Sequence, residues 1–110
     1  MQTGVRRHLG GRLLEVPVGA YDDPRGSLSV VAFHDYGFQA VRAFVVSAPS
    51  GTVRGGHGHK VGRQILMHLT GSILVEAEYR GRRTAIRLDD GNKALLIEPG
   101  VWSRQTYLGD

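Results

Sequence analysis

Branched and aliphatic residues in this chain come in short runs, and nearly every run ends at a glycine, a proline or a cluster of aspartate and asparagine. Glycine supplies 16 of the 110 residues. It adopts backbone angles that other residues resist, so its recurrence marks tight turns. Strands are expected over residues 13–18, 27–33, 40–47, 53–59, 64–70, 72–79, 83–88, 94–98 and 103–108. Turns are expected at residues 21–26, 48–51, 80–82, 89–92 and 99–100 and at Gly62 and Gly71, with a loop over 34–39. No segment carries a long helical period. Roughly nine short strands with frequent turn signals point to an all-β sandwich or barrel. No internal repeat and no linker divides the chain, so one domain over residues 1–110 is expected.

Charge and composition narrow the functions. Fourteen Lys and Arg against ten Asp and Glu give a formal charge of +4, which favours anionic partners such as phosphates. The basic residues are scattered, and the seven aromatics do not interleave with them as a nucleic-acid surface requires, so no nucleic-acid partner is expected. Cysteine is absent, which removes disulfides and thiolate metal sites. Arg6, Arg7 and His8 are not followed by an apolar run long enough for a signal peptide or a membrane span. The expected address is the cytoplasm, with no membrane partner.

The chemistry gathers between Gly51 and Gly71. Residues two apart in a strand share a face, so His57 and His59 place two imidazoles near each other, and Gln64, Leu66 and His68 line one face of the next strand. Glycines at 55, 56 and 58 leave the backbone beside the histidines open to close approach, which suggests a pocket. Three uses of the pair are open. Metal ligation needs a third and a fourth strong ligand, yet Gln64 is a weak donor and no histidine follows His68. The pair could equally be surface residues without a role. Imidazole also titrates near neutral pH, and two of them can take up and return protons with no metal and no cofactor.

The spacing Gly51, five residues, His57-Gly58-His59, four residues, Gln64, six residues, Gly71 resembles the first signature of the cupins, small jelly-roll-like β-barrels in which a glutamate normally stands at the Gln64 position. A more specific resemblance is to the dTDP-sugar 3,4-ketoisomerases. It is carried by Val53-Arg54-Gly55-Gly56-His57-Gly58-His59-Lys60, Gln64-Ile65-Leu66 and Leu69-Thr70-Gly71-Ser72. Upstream, Asp23-Pro24-Arg25-Gly26-Ser27-Leu28 and Val41-Arg42-Ala43-Phe44 are similar to that family's segments. So is Leu95-Leu96-Ile97-Glu98-Pro99-Gly100-Val101-Trp102 downstream. The resemblance implies a metal-independent isomerase of deoxysugar biosynthesis, a strand-exchanged homodimer. It would move the ketone of dTDP-4-keto-6-deoxyglucose from carbon 4 to carbon 3 through an enediol. It further implies His57 and His59 as the catalytic pair, with His59 as the base at carbon and His57 assisting or relaying, Arg25, Arg54 and Lys60 near the diphosphate, Gln64 as the group that fixes an imidazole tautomer, and Trp102 as a wall of the sugar pocket. Where the family carries tyrosine in the strand after its Arg-Val pair, this chain has Phe44-Val45-Val46. The alternative is a cupin that binds a nucleotide-sugar or another small ligand without this turnover, or that isomerises another carbonyl compound.

Overall fold

The structure, a computed structural model, describes residues 4–58, 61–89 and 91–109. Ten strands appear in the order β1 (Arg6–His8), β2 (Leu13–Pro17), β3 (Gly19–Asp23), β4 (Gly26–Val30), β5 (Val53–Gly58), β6 (Gln64–Leu66), β7 (Ser72–Tyr79), β8 (Arg82–Leu88), β9 (Lys93–Ile97) and β10 (Trp102–Gly109). Two short 3₁₀ turns, Leu9–Gly11 and Phe33–Tyr36, are the helical elements. The strands form one sheet in the order β1-β2-β9-β6, a second in the order β5-β10-β7-β8, and a separate hairpin of β3 and β4. Every ladder is antiparallel.

Alternation within each strand sorts its side chains between the two faces. In the first sheet Leu13, Leu66, Leu95 and Ile97 face inward, and they meet Ile73, Val75, Ala77, Ile86 and Leu88 of the second sheet in one core. Burying these aliphatic side chains between two facing sheets is the main favourable term holding the layers together. The outer face of the first sheet is apolar as well. Val16, Ala94 and Leu96 form a second cluster there, covered by Val31, Tyr36 and Phe38 from the segment around the second 3₁₀ turn. The outer face of the second sheet is charged, with Arg104 bonded to Glu76 at 2.9 Å and Arg83 to Glu78 at 2.6 Å.

Several expectations need correction. The fold is all-β and its strands pack as two facing layers, but the sheets are separate and no hydrogen-bonded ladder among the described residues closes them into a barrel. The strand expected over residues 40–47 does not form. Those residues are irregular and pair with no strand among the described residues, although β5 and β6 present free edges, and Val41, Phe44 and Val45 stand 96%, 71% and 73% exposed. Residues 21–23, expected in a turn, belong to β3, and the turn is confined to Pro24 and Arg25. The three-residue β1 was not anticipated, being too short and too charged to carry a period. A 3₁₀ turn occupies part of the loop expected over 34–39. No helix among the described residues is long and apolar enough to cross a membrane.

Candidate active site

The segment Arg54-Gly55-Gly56-His57-Gly58 lies on β5, an edge strand of the second sheet. Its register against β10 pairs His57 with Ser103, Gly55 with Arg104 and Arg54 with Gln105, so Gly56 is an extra residue and the ladder bulges there. The bulge decides which side chains converge. In a regular strand residues three apart point to opposite faces, but the inserted residue turns the chain over, and Arg54 and His57 end on the same face. That face is the inner one, because their partners Ser103 and Gln105 are opposed on the other side by Ala77 and Val75 of the core.

Gly55 and Gly56 take positive φ angles of 88° and 82°. A Cβ on Gly55 would sit 3.0 Å from the Ser103 carbonyl oxygen and 3.2 Å from the Arg104 Cα, so the β10 backbone would have to give by a few tenths of an ångström. A Cβ on Gly58 would lie 3.1 Å from the Val101 carbonyl oxygen. The expectation that these glycines open the backbone to a ligand is therefore corrected at 55, where β10 makes the close approach, and at 58, where the Val101 carbonyl just before β10 does. Beside Gly56 the space is open.

His57 and Arg54 are exposed at the edge of the sheet, whereas Ser103 beneath His57 is buried. Gln105 donates to the Ser103 hydroxyl at 3.4 Å, so the inner face below His57 carries polar groups as well as the core aliphatics. Gln64 opens β6 and pairs with Ile97, which places it on the inner face of the opposite sheet. Neither His57 nor Gln64 is without a partner. His59 and Lys60 lie outside the described residues. His68 follows β6 towards Gly91, at the end of the sheet away from Gln64, with its Nδ1 buried and unbonded.

Two expected site residues stand elsewhere. Arg25 occupies the tip of the separate β3–β4 hairpin, where its guanidinium donates to Asp23 at 2.6 Å and its backbone N–H donates to the same carboxylate at 2.8 Å. The guanidinium hydrogen bond, then the backbone one, hold the Asp23 carboxyl below its ordinary value, and the carboxylate raises Arg25. Trp102 pairs with Gly58 and Glu78, one residue from Ser103, and so lies on the outer face of the second sheet, with the Arg104 guanidinium 5.8 Å from its ring. It does not share a face with His57.

The tyrosines are also dispersed. Tyr21 is exposed on the hairpin, Tyr79 lies under the guanidinium groups of Arg12 and Arg80 at 5.1 and 5.3 Å, and Tyr107 packs on the core towards the far end of β10. None stands in the rungs beside His57. Among the described residues no three histidine, cysteine, aspartate or glutamate side chains gather where a metal ion could be held. Ser103 and Gln105 were not anticipated as site residues. Their signal in the sequence is only alternation along β10, which is unreadable until the register against β5 is known.

Residues 12–109 match the family model described as FdtA: WxcM-like, C-terminal. No functionally curated protein matches the sequence. Among solved structures, QdtA, a sugar 3,4-ketoisomerase from Thermoanaerobacterium thermosaccharolyticum in complex with TDP, superposes with a TM-score of 0.79 at 24% identity over 87% of this chain and 72% of its own. The WlaRB TDP-quinovose 3,4-ketoisomerase of Campylobacter jejuni gives 0.79 at 22% identity, covering 88% of this chain and 76% of that one. The RmlC epimerase of Mycobacterium tuberculosis gives 0.82 at 15% identity, covering 98% and 63%. At these identities the superpositions establish the cupin-like fold they share. The match over nearly the whole sequence establishes the rest: this chain belongs to the FdtA family, WxcM-like, C-terminal.

Proposed function

We propose that this protein is a dTDP-4-keto-6-deoxyglucose 3,4-ketoisomerase of deoxysugar biosynthesis, working by imidazole acid–base chemistry without a metal. The observation that carries the reading is the β5 bulge, which turns His57 and Arg54 onto one inner face above Ser103 and Gln105. Family membership and the ketoisomerase relatives support the substrate class.

The carbonyl at carbon 4 of such a sugar acidifies the proton on carbon 3. A neutral imidazole of the His57 and His59 pair removes that proton while an acid protonates the carbonyl oxygen, giving an enediol. The proton on the oxygen of carbon 3 then leaves as carbon 4 is protonated, which moves the ketone to carbon 3 with no net change of protons or electrons. Imidazole suits both directions, because its proton affinity is balanced near neutral pH, and a well-placed group of this kind contributes about 10²–10⁴-fold. Arg54 supplies a planar cation suited to phosphate oxygens, with Lys60 as a further positive charge for the diphosphate. Gln64 holds one imidazole in a single tautomer through its amide. The protein works as a homodimer with exchanged N-terminal strands, in which a second copy covers Tyr21, Leu28 and Val30 of the projecting hairpin.

A second reading rests on Phe44 and Val45, which supply no phenol, and on the absence of a tyrosine from the rungs beside His57. In it the site binds the nucleotide-sugar without turnover. Incubation with dTDP-4-keto-6-deoxyglucose, with and without chelator, separates the two. The proposal expects the 3-keto isomer at equal rates in both. Binding without product supports the second reading, and activity lost on chelation and restored by metal rejects the metal-free mechanism.

A further inference from the structure

The facing sheets leave two open sides. One lies between the β5 and β6 edges, beside His57, and the other between β1 and β8, the opposite edge strands of the same two sheets. On that second side is a solvent-open cleft of about 410 Å³, lined by Arg6, His8, Glu15 and Lys93 of the first sheet and by Arg87 and Asp89 opposite them.

The register explains why charged groups face this cleft. Leu13 and Leu95 belong to the core between the sheets, and Glu15 and Lys93 each stand two residues away on the same strands, so alternation turns both inward. Arg6 pairs with Glu15 and His8 with Leu13, which puts these two on the same inner face. Four ionisable side chains therefore adjoin the aliphatic core. Charge in such a place is costly unless it is paired. The Glu15 side chain is only 10% exposed, and it is paired twice, with His8 Nε2 at 2.5 Å and Lys93 Nζ at 3.1 Å. Asp89 is met by Arg87 Nε at 3.3 Å. Both carboxylates are thus answered within the protein, and the charge left over is positive. Arg6 is exposed and has no hydrogen bond or ion pair among the described residues. Lys93 keeps further N–H donors beyond the one that Glu15 engages.

We propose that this cleft is a second ligand site, for a small molecule bearing a phosphate or carboxylate group, with Arg6 and Lys93 donating to the anionic oxygens. A planar guanidinium beside an ammonium suits such a group, and the volume is that of a small-molecule site. The cleft is separate from the candidate active site, because β8 is the far edge of the sheet whose other edge, β5, carries His57. It does not depend on the ketoisomerase reading. Exchange of N-terminal strands between two copies would bring Arg6 and His8 from the second copy and leave the same groups facing one another.

The test titrates inorganic phosphate, and separately acetate, into the full chain at fixed pH, with sodium chloride holding the ionic strength constant. The ring resonances of His8, assigned by their loss in His8→Asn, report the binding. We expect a saturable shift, and the anion with the higher affinity identifies the group the cleft prefers. Affinity should fall about tenfold or more in Arg6→Met and in Lys93→Met. It should stay unchanged in Arg80→Met, which alters an exposed arginine outside the cleft. The shift should also survive Arg54→Met, which removes the cation beside His57. No saturable shift with either anion overturns the proposal, as does native affinity in Arg6→Met. A shift abolished by Arg54→Met overturns it too, because the anion would then be bound on β5. If Lys93→Met fails to fold because Glu15 loses a partner, Lys93→Met combined with Glu15→Gln carries the same reading. Every arm is read without turnover, so a protein with no ketoisomerase activity would decide this proposal equally well.

Discussion

Glu15 shows how one inward-facing carboxylate is kept charged among aliphatic neighbours. Burial alone would push its pKa up, but His8 Nε2 lies 2.5 Å from one carboxylate oxygen and Lys93 Nζ 3.1 Å from the other, and these bonds and charges together hold Glu15 below its ordinary 4.5. A carboxyl that is more acidic folded than unfolded stabilises the fold in full above 4.5, and the contribution fades as pH falls through the folded value. Thermal melts between about pH 6 and pH 3 should therefore show the native protein losing stability faster than Glu15→Gln. Parallel profiles for the two would contradict this account of the cluster. The same scale shows what a residue pattern can reveal. Alternation puts Gln64 and Leu66 on one inner face of β6, as their pairing with Ile97 and Leu95 bears out, because it needs only the local period; His68 lies beyond the end of that strand, and the face expected to be shared by His57 and His59 involves His59, outside the described residues. Alternation could not say that Trp102 is turned away, since that depends on its lying one rung from Ser103.

At the level of the strand, the β5 bulge is the device that assembles the candidate site. Gly55 is held at a φ of 88°, where a Cβ would crowd the β10 backbone. Gly55→Ala should cost about 1–3 kcal/mol of stability from the left-handed backbone and the close contacts. Whatever folds should lose activity out of proportion to the stability lost, because a straightened strand returns Arg54 to the face opposite His57. Chemical denaturation and turnover measured on one preparation check this, and a variant with native stability and native rate would contradict it. Most strands were legible beforehand, residues 72–79 to both ends, because runs of branched residues bounded by glycine signal pairing whatever the partner. Residues 40–47 carry the same signal in Val41, Phe44, Val45 and Val46 yet pair with no strand among the described residues, since β-propensity reports a side chain's fitness for a sheet and not whether the path of the chain brings it to an edge. The bulge itself was hidden because consecutive glycines announce a departure from regular geometry without saying in which direction.

Over the whole molecule, exposed apolar side chains are unevenly placed. Tyr21, Leu28 and Val30 sit on the projecting hairpin, and Val41, Phe44 and Val45 on the irregular segment that follows it in sequence. Surfaces of this kind are usually covered by a partner, and the homodimer we propose would cover them with a second copy. Light scattering should give a dimer for the native chain and a shift towards monomer for Leu28→Asp combined with Tyr21→Asp. A monomeric native protein at micromolar concentration would contradict the exchanged-strand arrangement. The all-β architecture followed from the turn signals alone, whereas the separation into two facing sheets with free β5 and β6 edges is a long-range property to which no local run of residues points.

The central claim is that an imidazole on the inner face of β5 moves a proton at carbon 3 without a metal. It is tested most directly by incubating the chelator-treated protein with dTDP-4-keto-6-deoxyglucose in deuterated water and following the carbon-bound hydrogens by NMR. The account predicts deuterium at carbon 3 of the recovered substrate and at carbon 4 of the 3-keto product, slowed about 10²–10⁴-fold in a folded His57→Asn variant. Carbon-bound hydrogens that stay unexchanged in the native protein, or that exchange as fast in His57→Asn, would contradict it.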